Sequence, residues 1–184
     1  MPVLPVNGIR IGSTAAGIRY KGRDDLVVIE CQSGTSCAAV FTRNRFSAAP
    51  VQIAKKHLGQ VSPRALLINS GNANAGTGEQ GLLNATECCQ MLADSLGCEV
   101  SEILPYSTGV IGEQLPVQAF KQALPSCLHN LRADADAWER ASKTIMTTDT
   151  VPTLFSRKVD IAGCEVTITG MSKGAGMIRP NMAT

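Results

Sequence analysis

Four polar segments, three of them glycine-bearing, carry the side chains from which a reaction site could be built. They are Asn69-Ser70-Gly71-Asn72-Ala73-Asn74-Ala75, Ser107-Thr108-Gly109-Val110-Ile111-Gly112, Thr147-Thr148-Asp149-Thr150-Val151-Pro152 and a C-terminal run from Lys173 to Thr184. A glycine after a strand lets backbone N–H groups turn into a cleft, which is what an oxyanion site for acyl transfer requires, so Ser107-Thr108-Gly109 is the first candidate. An ordinary strand-to-loop turn would use the same residues. The asparagine-rich segment has small hydrogen-bonding side chains that tolerate unusual backbone angles, and it fits either a plain turn or a binding loop. Asp149, among threonines, fits a catalytic carboxylate or an acidic turn residue. Lys173-Gly174-Ala175-Gly176 is not a phosphate loop, because the lysine precedes the glycines and no Gly-Lys-Ser/Thr follows, which disfavours nucleotide binding.

Composition narrows the chemistry further. The 184 residues are 44% hydrophobic, enough for a sizeable core and consistent with a single folded unit over 1–184. With 17 basic and 15 acidic side chains the net charge is +2, too weak a field for nucleic acid, so a small-molecule partner is expected. The seven cysteines form no CxxC pair, and free thiols in a reducing compartment are expected. His57 and His129 lie far apart and away from any close cysteine pair, so no metal site is expected. The start of the chain has no signal-peptide pattern, and no apolar run approaches the roughly 18 residues of a membrane span. A cytoplasmic protein is the expectation. Lys55, Lys56 and His57, like Arg43 and Arg45, read as solvated surface.

The elements that must position these segments follow from periodicity. Leu26–Glu30 and Ala38–Thr42 are short β-rich runs around the turn-forming Gln32-Ser33-Gly34-Thr35, which predicts a hairpin. Ala65–Asn69 predicts a buried strand. Apolar residues at Leu82, Ala85, Cys89, Leu92, Ala93 and Leu96 recur at spacings of three and four, predicting a helix over 80–96 that stops at Gly97. Pro116 suits the first turn of a second helix through Leu124, which Pro125 is expected to interrupt, and a third helix is expected over about 134–146 around Trp138. Strands over 155–161 and 165–171, joined at Ala162-Gly163, complete a mixed α/β chain with helices layered on sheet. These residues by themselves name no reaction.

Taken in order, the segments resemble the ornithine acetyltransferase family, also called the glutamate N-acetyltransferase or ArgJ family. The resemblance runs through Ala16-Gly17-Ile18-Arg19 with Asp25-Leu26, Ala39-Val40-Phe41-Thr42-Arg43-Asn44, Leu67-Ile68-Asn69-Ser70-Gly71-Asn72-Ala73-Asn74, Ser107 to Gly112, Thr147-Thr148-Asp149-Thr150, and above all Lys173-Gly174-Ala175-Gly176-Met177-Ile178-Arg179-Pro180-Asn181-Met182-Ala183-Thr184. Thr153 departs from the family's frequent lysine.

The resemblance implies the α half of a self-cleaving precursor, with an ornithine acetyltransferase/DmpA-like α/β fold completed by a separate β chain. Cleavage would fall between Ala183 and Thr184, leaving Thr184 as an N-terminal nucleophile whose own freed α-amine can serve as base. With that bond intact there is no free α-amine, and the chain should be silent. Thr108 and Gly109 would form the oxyanion hole; Thr147 and Lys173 would contact substrate. The implied reaction moves acetyl from N-acetylornithine to glutamate in arginine biosynthesis through an acyl-threonine. It needs no cofactor, with acetyl-CoA as a further donor in some members, and the implied assembly is a heterotetramer of two α and two β chains. Two other readings stay open: a self-processing amidase or aminopeptidase of the same nucleophile type, and a non-catalytic relative.

Overall fold

The computed structural model describes residues 2–174. Its centre is a four-stranded sheet in the order β1-β2-β3-β4, built from β1 (Ile9–Thr14), β2 (Leu26–Cys31), β3 (Ala65–Asn72) and β4 (Ile103–Val110). β1 and β3 pair antiparallel with β2, while β4 runs parallel to β3. That parallel pair needs a crossover, supplied by helix α2 (Gly78–Leu96).

Leu26-Val27-Val28-Ile29 is apolar at every position because β2 is central and covered on both faces. Leu26 and Val28, with Ala65, Leu67 and Ile103, pack beneath α2 and α3 (Val117–His129). Val27 and Ile29 face the other way, onto Trp138, Ala137 and Ala141 of α4 (Ala135–Thr144). Each fully buried aliphatic side chain contributes about 1.5–3 kcal/mol, so the two clusters hold the sheet between helical layers. α1 (Ala49–Leu58) packs on β4 and α2.

A separate two-stranded hairpin, β5 (Thr153–Ile161) and β6 (Cys164–Ser172), turns at Ala162 and Gly163, both with positive φ, as a tight primed turn demands. Leu154 and Met171 seat it against the α4 cluster, and Leu4 bonds to Ser156 and Thr169 at its middle.

The mixed α/β architecture matches the sequence expectation, and so do α2, whose Gly97 closes it at φ 65°, and the β5–β6 pair. Two expectations are corrected. The turn at Gln32–Thr35 forms, with the Thr35 N–H on the Gln32 carbonyl at 3.1 Å, but Ala38–Thr42 does not return as a strand. Both edges of β2 are already taken by β1 and β3, so the segment leaves the sheet as irregular chain, exposed over Ala38–Val40. Pro125 does not interrupt α3, which runs on to His129. It sits on the solvent side, as does Lys121, whose carbonyl loses its helical partner there and stays open to water. Phe120, Ala123, Leu124 and Cys127 keep the buried stripe. α1 is an element the sequence reading did not include.

Candidate active site

The parallel pairing of β3 and β4 sets the site, because it brings the ends of both strands to one edge of the sheet, the usual place for a crevice in α/β sheets. Ser70 lies beside Thr108 and Gly71 beside Gly109, and the register then shifts at a bulge between Gly71 and Asn72. Gly109 has φ 134° and packs so closely on the bulge that a Cβ there would stand 2.2 Å from the Gly71 carbonyl carbon. Gly71, at φ 108°, in turn leaves room for the Arg19 side chain. Neither position accepts a side chain, so two backbones meet where larger residues would hold them apart.

The asparagine segment fixes this arrangement. Asn69 and Asn72 lie within β3, and Asn74 holds a positive φ of 46° just beyond it. Asn72 accepts the Asn74 N–H at 2.7 Å and donates to the Glu113 and Gln114 carbonyls at 3.2 Å. Asn74, fully buried, donates to the Gly81 carbonyl at 2.9 Å and accepts the Thr77 hydroxyl at 2.8 Å. Each of these amides is bonded within the protein on both its oxygen and its nitrogen. They build the frame of the site, with Asn72 and Asn74 buried behind it.

In front of this frame lies a cleft of about 600 Å³, within the size range of small-molecule sites. Its walls are the Ala39–Thr42 segment, Pro50, Val51 and Ala54 of α1, and Pro105–Gly109 with Ile111. Lys173 and Gly174 also border it, and Lys173 is the one formally charged residue in the lining among the described residues. The mainly apolar walls lower the local dielectric, which strengthens any hydrogen bond made to developing negative charge. Tyr106, half-exposed in the same lining, has its phenol pushed above the usual range, mainly by burial.

The structure thus brings Thr108, Gly109 and Lys173 to one cleft. Thr147 does not line it but is tied to its border: Asp149 accepts the Thr147 N–H at 2.9 Å on one oxygen and the Gly174 N–H at 2.7 Å on the other. These bonds hold the Asp149 carboxyl below its ordinary pKa, with Thr147 as the largest cause. Ala183 and Thr184 fall outside the described residues.

His57 is corrected. It is 6% exposed, not solvated, with Nδ1 2.7 Å from the Ile103 carbonyl, so it anchors α1 to β4. Its place was readable, since Ala49, Pro50, Ile53, Ala54 and His57 follow helical spacing behind an early proline. The Asn69–Ser107 contact, by contrast, joins residues 38 apart and left no local signal. All seven cysteines are free thiols, and burial pushes Cys89 and Cys127 up to about 12, far from thiolate reactivity at neutral pH. No helix among the described residues is long and apolar enough to cross a membrane.

Comparison with known proteins agrees with this geometry. The arginine biosynthesis bifunctional protein ArgJ of Methylococcus capsulatus is 52% identical over 180 residues, covering 98% of this chain and 43% of that protein. The ArgJ of Pseudomonas syringae pv. tomato is 52% identical over 185 residues, covering 100% of this chain and 45% of that protein. The chain therefore spans somewhat less than half the length of these curated relatives.

Among solved structures, ArgJ of Bacillus halodurans superposes with a TM-score of 0.89 at 32% identity, covering 96% of this chain and 91% of that one. Ornithine acetyltransferase of Mycobacterium tuberculosis, solved with ornithine, gives 0.84 at 32% identity, covering 97% and 94%. A family profile described as the ArgJ family matches residues 10–184. On this combined ground the chain belongs to the ArgJ family.

Proposed function

We propose that this chain is the α half of a cytoplasmic, self-cleaving ornithine acetyltransferase that moves acetyl from N-acetylornithine to glutamate. The observation that carries the reading is the cleft in which Thr108, Gly109 and Lys173 meet, in a chain of this family. The lengths support a two-chain enzyme: the match covers 43% and 45% of the full-length relatives but 91% and 94% of the solved chains.

Cleavage after Ala183 frees the α-amine of Thr184. That amine takes the proton as the Thr184 hydroxyl attacks the acetyl carbonyl. Thr108 and Gly109 stabilise the resulting oxyanion, and the tetrahedral intermediate collapses to acetyl-threonine as ornithine leaves with the proton on its amine. The glutamate amine then attacks the acyl-threonine, and N-acetylglutamate departs as the threonine hydroxyl is regenerated. Lys173 meets substrate carboxylate or acyl oxygen as a mobile point charge, and Thr147 contacts substrate from the Asp149-tied border.

The relatives are named bifunctional, and the second activity fits acetyl-CoA as an alternative donor. A heterotetramer of two α and two β chains is the corresponding assembly. The test is product analysis on the full-length, processed protein with N-acetylornithine. N-acetylglutamate formed only when glutamate is present supports the reading; acetate released at the same rate without glutamate overturns it in favour of a hydrolase.

A further inference from the structure

A short side-chain hydrogen bond crosses the β3–β4 pair just behind the cleft. The Ser107 hydroxyl donates to Asn69 Oδ1 at 2.6 Å, and Asn69 Nδ2 donates to the Asn72 carbonyl at 2.8 Å. Asn69 is 1% exposed and its bond to the Asn72 carbonyl is buried, while the Ser107 end of the pair is half-buried at the cleft wall. The Asn72 carbonyl belongs to the peptide whose other end, the Ala73 N–H, donates to the Val110 carbonyl at 2.8 Å. One peptide plane is therefore gripped at both ends: by Asn69 on its oxygen and by Val110, the neighbour of Gly109, on its nitrogen.

Gly109 itself rests against the same bulge, its Cβ direction blocked at 2.6 Å by the Asn72 nitrogen. A rotation of the Asn72–Ala73 peptide acts on Val110 through the Ala73 N–H, and reaches the Gly109 backbone through the adjoining Gly71–Asn72 peptide that Gly109 packs on.

We propose that Ser107 and Asn69 are positioning residues for the acyl-transfer reaction: through the Asn72–Ala73 peptide they aim the Thr108–Gly109 backbone at the developing oxyanion. The inference rests on the oxyanion role given to Thr108 and Gly109 above. Ser107 lines the cleft, yet its hydroxyl is turned to Asn69, so its effect reaches the substrate through the backbone it sets. Such a device raises the rate of the chemical step more than it tightens substrate binding, because only the transition state has the displaced charge.

The test uses the full-length processed enzyme carrying Asn69→Asp, Ser107→Ala or Ser107→Thr. The aspartate can still accept from Ser107 but cannot donate to the Asn72 carbonyl, whereas the threonine retains the hydroxyl. Asn69→Asp and Ser107→Ala are expected to lower kcat by about tenfold to a hundredfold, with KM for N-acetylornithine changed less than about threefold. Ser107→Thr is expected to recover most of the loss relative to Ser107→Ala. Hydrogen exchange at the Ala73 amide should quicken in the two damaging variants while exchange in β1 and β2 stays as in the wild type.

Unchanged kcat with unchanged Ala73 exchange would overturn the proposal. So would a loss that tracks a fall in Tm and is not recovered by threonine, since that is a packing effect alone. If the wild type transfers no acetyl group, the functional reading fails separately. The exchange pattern then tests the structural link alone: quickening confined to residues 72–73 and 109–110 shows that Ser107 and Asn69 hold this backbone though not for acyl transfer, and no local change overturns the link as well.

Discussion

On the β3–β4 side of the cleft the polar side chains of the asparagine segment are all bonded in the interior, Asn69, Ser70, Asn72 and Asn74 being at most 3% exposed. At the Lys173–Gly174 border the same task falls to one surface carboxylate, Asp149, with two backbone N–H donors. The first region is over-determined: removing one bond leaves others, but each lost partner strands a buried group at a cost of about 1–3 kcal/mol. The second is a clasp in water, where the same hydrogen bonds are worth far less. An oxyanion site gains from rigidity before reaction, while the Lys173–Gly174 border, on the way to the proposed cleavage point, is held by fewer and more exposed bonds. The contrast matches the two roles proposed for these regions.

Gly109→Ala should give the largest effect on that comparison. Its methyl would overlap the Gly71 carbonyl carbon at 2.2 Å in a backbone conformation that L residues rarely adopt, so β3 and β4 must separate. Acetyl transfer should fall by about 10²–10³ through the misplaced donor, together with a lowered Tm. Retained activity would show that the backbone at this point does not aim at the reacting carbonyl.

Asp149→Asn should act more weakly. One amide oxygen can still accept a single N–H, so thermal stability should barely change, while Lys173 and the segment after it lose a fixed origin and self-cleavage slows severalfold. Because the Asp149 carboxyl is held below the ordinary aspartate range, chiefly by the Thr147 N–H, its contribution is fully present above the unfolded value and lost as pH falls through the lower folded one. The wild-type clasp should therefore be constant from pH 5 to 8 and open only in acid. Amide shifts of Thr147 and Gly174 followed by NMR against pH would check this; a transition near neutrality would contradict it.

What could be read from the residues depends on the range of the forces involved. α2 and α4 were legible because amphipathic spacing and end signals such as Gly97 and Asp134 act within one element. The β5–β6 pair was legible because its turn and both strands are adjacent in sequence. The partner of β2 was not, since the choice between Ile9–Thr14 and Ala38–Thr42 is made by which segment completes the second apolar face, and Ile11 is 1% exposed there. Pro125 misled because its cost depends on whether the orphaned carbonyl faces solvent.

At the site, the residue identities of Thr108, Gly109, Thr147 and Lys173 came from the family-like segments, whereas the parallel β3–β4 register places Thr108 and Gly109, and Asp149 ties Thr147 to Gly174 beside Lys173. Ser107-Thr108-Gly109-Val110, read as a loop after a strand, is itself strand. The asparagine segment, read as turn or binding loop, is frame, because its amides find partners at Gly81, Glu113 and Gln114, which no local pattern reveals.

The central claim is that the catalyst is made by cutting the chain at Thr184. Intact-protein mass spectrometry of the full-length gene product, as wild type and as Thr184→Ala, tests it most directly. The account predicts two chains for the wild type, with the second beginning at Thr184, and one uncut chain for the variant. A wild type that stays whole, or a variant cut at the same bond, would contradict it.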